Sequence, residues 1–161
     1  MTVETTPAAL MSEEQVVDVL NGLVESAKDG EAGFAWCAEH CTAAALRGLC
    51  VRRAAEAAAA ARELQDLVVA HGGQAEDHGT VSGALRRGWV TVLSGLQASD
   101  DLQMLTACLH ASESALERYR AALRKDLPLT VLALVQRQSE IEQRGHDDLQ
   151  QMTARLRAVA H

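Results

Sequence analysis

The chain has 161 residues, 48% of them hydrophobic but only 2% aromatic, and carries a net charge of −7. That length suits one domain with a sizeable core, and the apolar content excludes a disordered chain. The composition favours closely packed helices over a sheet, which prefers β-branched and aromatic residues, and an acidic chain without a basic run is a poor match for nucleic acid.

In chain order, residues 1–11 read as a flexible arm, without the basic stretch and apolar run of a signal peptide, and residues 12–161 as a single domain. Ser12 and Gln15 form a capping box with Glu13 and Glu14 at the positive helix end. The spacing of Val16, Leu20, Leu23, Val24, Ala27, Phe34, Ala38 and Cys41 predicts a helix over 12–41. Thr42 is placed to cap a second helix over 43–71, whose stripe is Leu46, Leu49, Arg53, Glu56, Ala60, Leu64 and Leu67, and which stops at Gly72-Gly73. A polar loop and a short helix over 81–97 follow. Ser99 is placed to cap a third long helix over 100–125, with Leu102, Leu105, Leu109, Leu116 and Leu123 inward. Leu127-Pro128 breaks it, and a last helix covers 129–159. Two helical hairpins joined by a long crossover predict an all-α, ferritin-like four-helix bundle with a short extra helix in the crossover. No apolar run reaches membrane-spanning length. The expected location is the cytoplasm, and the expected assembly a homodimer, with no membrane partner and no nucleic acid.

Acids interrupt the apolar stripes at one level. Glu31, Glu56 and Glu113 each fall near the middle of a predicted helix, three or four residues from apolar stripe positions, and Glu142, Gln143 and His146 share a face on the fourth. Helix midpoints meet in an up-down bundle. Isolated buried carboxylates are costly, so such a layer must protonate, pair with arginines such as Arg53 or Arg120, or bind a cation. Oxygen ligands with one imidazole suit iron, manganese or zinc.

The four cysteines form a second grouping. Cys37, His40 and Cys41 make C-x-x-H-C, which is not the haem-attachment order. With a pivot near residues 42–44, Cys50 comes level with Cys37, and Cys108 joins them if the third helix starts at the same end. Such a cluster could take zinc or cuprous copper or sense redox state, although buried cysteine more often serves as a small core residue. Trp36 and Tyr119 read as packing residues, and His71, His78 and His110 as loop or surface residues. No phosphate loop, dinucleotide fingerprint or nucleophile elbow is present, so no nucleotide or organic cofactor is expected.

The segments DGEAGFAWCAEH, RRAAEAAAAARELQDLV, HGG, VSGALRRGWV, YRAALRKDLP and LVQRQSEIEQRGHDDLQ resemble an uncharacterised bacterial family of ferritin-like four-helix bundles, domain of unknown function 2383. The resemblance runs from about residue 15 to 157. It implies the fold and brings no activity with it. The wider ferritin-like superfamily supplies glutamates from three helices and Glu-x-x-His motifs, onto which Glu31, Glu56, Glu113 and Gln143-x-x-His146 map. Ala59 stands where the second helix would place its histidine, so the resemblance implies an incomplete two-metal centre rather than a classical ferroxidase. Two functions follow as expectations. One is metal binding in the bundle core, serving iron handling or a stress-linked oxidase. The other is a non-enzymatic structural or interaction bundle without metal.

Overall fold

The computed structural model describes residues 11–74 and 100–159. Four helices form there: α1 (Glu13–His40), α2 (Ala44–Ala70), α3 (Asp101–Leu123) and α4 (Leu129–Val159). All four match the predicted elements to within two residues at each end. The short helix expected over 81–97 and most of the 1–11 arm lie outside the described residues.

Helix ends follow local chemistry. The Ser12 hydroxyl accepts from the Gln15 amide at 3.1 Å, and the Gln15 side chain accepts from the Ser12 amide at 2.9 Å, which closes the capping box of α1. Gly72, at φ +82°, ends α2 in the left-handed region that glycine tolerates. Two expected caps are corrected. Asp100, not Ser99, caps α3 by accepting from Gln103. The α2 cap position is Ala43, which has no side-chain acceptor. Its role is taken from a distance by Asp101, whose carboxylate accepts from the Thr42 amide (2.9 Å), the Thr42 hydroxyl (2.9 Å) and the Ala43 amide (2.8 Å).

That contact sets the topology. Asp101 places the start of α3 beside the α1–α2 turn, while His71 at the end of α2 meets Glu13 at the start of α1, 2.9 Å away. The chain between Gln74 and Asp100 therefore joins opposite ends of a bundle about 40 Å long, taking 1.5 Å per residue along α2. The helix directions are up, down, down, up. Each hairpin packs closely within itself, and the two hairpins meet more loosely through α1 with α3 and α2 with α4.

The core has two apolar halves. The half near the α1–α2 turn holds Phe34, Leu46, Leu49, Met104, Leu105, Leu149 and all four cysteines. The other holds Val16, Leu20, Leu64, Val68, Tyr119, Val131 and Val135. Among the described residues no helix is long and apolar enough to cross a membrane.

Candidate functional site

Between the two halves lies a polar layer centred on Arg53. This arginine is 1% exposed. Its guanidinium donates to Glu56 at 2.5 Å and pairs with Glu142 at 2.6 Å, and it lies 5.3 Å from the centre of the Phe34 ring. Glu142 also accepts from the Ser112 hydroxyl at 2.9 Å, and Glu56 lies 3.7 Å from Arg52 at the surface. Burial pulls the Arg53 pKa down, but the Glu142 and then the Glu56 carboxylate outweigh it and hold the group above its usual value. Arg53 is therefore a permanent cation in this layer.

Gly145 makes the room. A Cβ built there would overlap the Arg53 guanidinium. A glycine in a helix interior costs about 1 kcal/mol relative to alanine, and here its missing side chain is the passage by which the arginine reaches Glu142. Just below, the Tyr119 hydroxyl donates to Gln138 at 3.0 Å, and the Gln138 amide donates to the Ala60 carbonyl at 3.2 Å. Burial, then the charge of Glu142, raises the Tyr119 pKa, so the phenol stays neutral.

The six residues expected to share one metal layer separate into three places. Glu56 and Glu142 meet at Arg53. Glu31 and Glu113 are exposed, which corrects their expected inward positions. Each lies four residues after one stripe residue and three before the next, a shift of roughly 40–60° at 100° per residue. The inward position on α3 at this level is Ser112. Glu113, Gln143 and His146 line a separate groove of about 520 Å³ between α3 and α4, with Glu117, Arg120 and Gln150. There Gln143 donates to Asp147 at 3.1 Å, and the buried His146 Nδ1 has no hydrogen-bond partner. This separation does not fit a metal at the level of Glu56: the carboxylates that do meet there already share a guanidinium. Among the described residues no group of three or more histidine, cysteine, aspartate or glutamate side chains is arranged to hold a metal ion.

The cysteine grouping also divides. Cys37, Cys50 and Cys108, from α1, α2 and α3, are fully buried together in one half of the core, and the Cys108 thiol donates to the Cys37 sulfur at 3.6 Å. Cys41 is buried in the same half of the core, but its thiol points to the Ala38 and Ala43 carbonyls, both at 3.8 Å. His40 is half-buried, stacks on Trp36 with ring centres 3.9 Å apart, and bonds the Trp36 carbonyl through Nδ1 at 2.8 Å. It does not join the thiols.

Sequence reasoning missed one larger feature. A half-open cleft of about 860 Å³ lies between the hairpins, lined by all four helices. Its walls combine small residues such as Ala57, Ala60, Ala107, Ala111 and Ala115 with charged ones, among them Arg53 at the polar layer. The run of alanines in α2 was the available signal. Small side chains permit close helix contact or leave space, and the spacing alone does not distinguish these outcomes.

Compared with known families, residues 15–125 match the model of a domain of unknown function, DUF2383. The chain belongs to the DUF2383 family. The match spans nearly all of α1 and the whole of α2 and α3, so Arg53, Glu56, Cys37, Cys50 and Cys108 lie within the DUF2383 region, and Glu142 and Gly145 lie beyond it. No curated protein matches the chain.

Proposed function

We propose that this DUF2383 protein is a non-enzymatic bundle of the ferritin type that acts through interaction rather than metal chemistry, with the Arg53 side chain standing where a metal would sit. The observation that carries this reading is the double ion pair of Arg53 with Glu56 and Glu142. A buried cation bound by two carboxylates on opposite hairpins does electrostatically what a core metal does: it makes the acids tolerable and ties helices together. It adds no open coordination position and no redox chemistry. The outward placement of Glu31 and Glu113 further depletes the ligand set that iron, manganese or zinc would need. The half-open cleft between the hairpins supplies surface for a binding role.

The test is metal content by plasma mass spectrometry on protein purified without a histidine tag, before and after loading with ferrous iron under nitrogen. Sub-stoichiometric metal in both samples, with no shift in thermal midpoint on loading, is expected. One or two equivalents that survive desalting and disappear in Glu56→Ala with Glu142→Ala would overturn the reading and restore a core metal site.

A further inference from the structure

The Cys37, Cys50 and Cys108 thiols belong to neither the arginine layer nor the cleft walls, and every cysteine of the chain sits in one half of the core. Small core residues would fill this space equally well as alanine or serine. What cysteine alone adds is the ability of adjacent sulfurs to exchange two hydrogens for a bond. The members come from three helices. Cys37 and Cys50 belong to the first hairpin and Cys108 to the second. The only covalent link between the hairpins is the long connection from Gln74 to Asp100, and their mutual packing is the looser contact in the bundle.

We propose that Cys37, Cys50 and Cys108 form a peroxide-responsive thiol site, in which oxidation ties Cys108 of the second hairpin to the first hairpin by a disulfide. Cys50 is the attacking sulfur. It is fully buried beside the other two in the same half of the core, and interaction with Cys108 and then Cys37 lowers its pKa against the opposing effect of burial. For Cys37 the Cys108 S–H acts downward, but the interaction with Cys50 and burial prevail and push it up to about 12. Donation to Cys37, then the interaction with Cys50 and burial, raises Cys108 as well, so Cys50 is the one sulfur of the three held below its usual value.

The chemistry closes on these three groups and one hydroperoxide. The Cys50 thiolate attacks one peroxide oxygen and breaks the O–O bond. The sulfur becomes sulfenic acid, and the other oxygen leaves as hydroxide, which takes a proton to become water. The Cys108 thiol then attacks the Cys50 sulfur, forming the S–S bond and releasing the second oxygen as water. Two thiols are oxidised and one peroxide is reduced to two waters. Cys37, in contact with Cys108, can displace Cys50 by thiol–disulfide exchange and leave a Cys37–Cys108 bridge. The thiols themselves are fully buried, and the nearest open surface is the cleft. Phe34, one turn before Cys37, and Ala107, next to Cys108, both line the cleft. The bridge would close a loop of more than seventy residues between positions 37 and 108, an entropic constraint that raises the stability of the folded state.

The experiment treats the folded full chain with hydrogen peroxide at neutral pH, alkylates the remaining thiols after unfolding, and maps disulfides by mass spectrometry. The expected result is loss of two hydrogens per chain, a peptide joining Cys108 to Cys37 or Cys50, alkylated Cys41, and an upward shift in thermal midpoint that a reductant reverses. Cys50→Ala, a small change in the core, is expected to slow bridge formation at least tenfold. The proposal fails if all four thiols survive a dose that oxidises the urea-unfolded chain, if the bridge joins only Cys37 with Cys50 or joins two chains, or if Cys50→Ala bridges at the wild-type rate.

Discussion

The Arg53 guanidinium lies directly over Gly145, at the point where any side chain on α4 would overlap it. One residue supplies the core cation and the other the space for it, and neither makes sense alone. An arginine on the apolar stripe of α2 is costly unless it finds carboxylates, and a glycine inside α4 weakens that helix unless something needs the gap.

Gly145→Ala is therefore expected to destabilise the protein, although alanine is the better helix former. On intrinsic propensity the change would gain about 1 kcal/mol. Displacing the guanidinium from Glu142 and overpacking the seam should instead cost about 3 kcal/mol. Urea unfolding of the two proteins decides the sign. A more stable Gly145→Ala would mean that Arg53 reaches Glu142 by another route.

Removing the cation should be comparably costly. Arg53→Ala leaves the largely buried Glu142 without its cation and Glu56 with only Arg52 at the surface, and is expected to cost about 3 kcal/mol. Replacing all three charges together, with Arg53→Met, Glu56→Gln and Glu142→Gln, should recover most of that loss. Glu56→Gln alone is expected to weaken the fold, because Glu56 is paired rather than repelled, whereas exposed Glu113→Gln should change stability by less than about 0.5 kcal/mol. Chemical denaturation of this set measures the coupling. If the triple variant is no better than Arg53→Ala, the layer is not held by charge pairing.

The helices were legible in the sequence because apolar spacing, a capping box, a double glycine and one proline all pointed to the same boundaries. The positions of the acids were less legible, because one helix step is about 100° and a residue three or four places from a stripe residue sits on its shoulder. Glu56, half-buried on the shoulder of the stripe, reaches the polar layer because Arg53, one turn earlier, donates to it. Glu31 and Glu113 have no such neighbour and face out. Of the acids expected at the helix midpoints only Glu56 and Glu142 meet, and they do so at Arg53, which was a recognised alternative partner. What could not be read was that Gly145, far away in sequence, opens α4 to that arginine. Asp101 was hidden for the same reason: its capping partners are almost sixty positions earlier.

The Tyr119–Gln138–Ala60 chain predicts a modest, specific loss. Tyr119→Phe removes the donor to Gln138 while keeping the ring, and should cost about 1–2 kcal/mol because the amide oxygen is left buried. The folded-state pKa of Tyr119 is raised, first by burial and then by Glu142. Its contribution to stability is therefore complete below the ordinary phenol pKa of about 10 and is lost as pH rises through the higher folded value. The gap between wild type and Tyr119→Phe should narrow above pH 10. A gap that stays constant to pH 12 would place the phenol in solvent.

Asp101 offers the opposite pH signature. Burial raises its pKa, but the Thr42 and Ala43 amides and the Thr42 hydroxyl, all donating to the carboxylate, bring it below the usual carboxylate value. A depressed folded pKa contributes stability that is present above the unfolded value of about 3.9 and is lost as pH falls through the folded one. Asp101→Ala should cost about 1–2 kcal/mol at pH 7, as loss of a helix cap does, and should loosen the start of α2 against α3 rather than either helix alone. The wild-type advantage should shrink steadily below pH 4. Thermal midpoints at pH 7 and pH 2.5 for the two proteins measure it directly. An advantage of equal size at both pH values would show that the side chain packs there rather than accepting these bonds as a carboxylate.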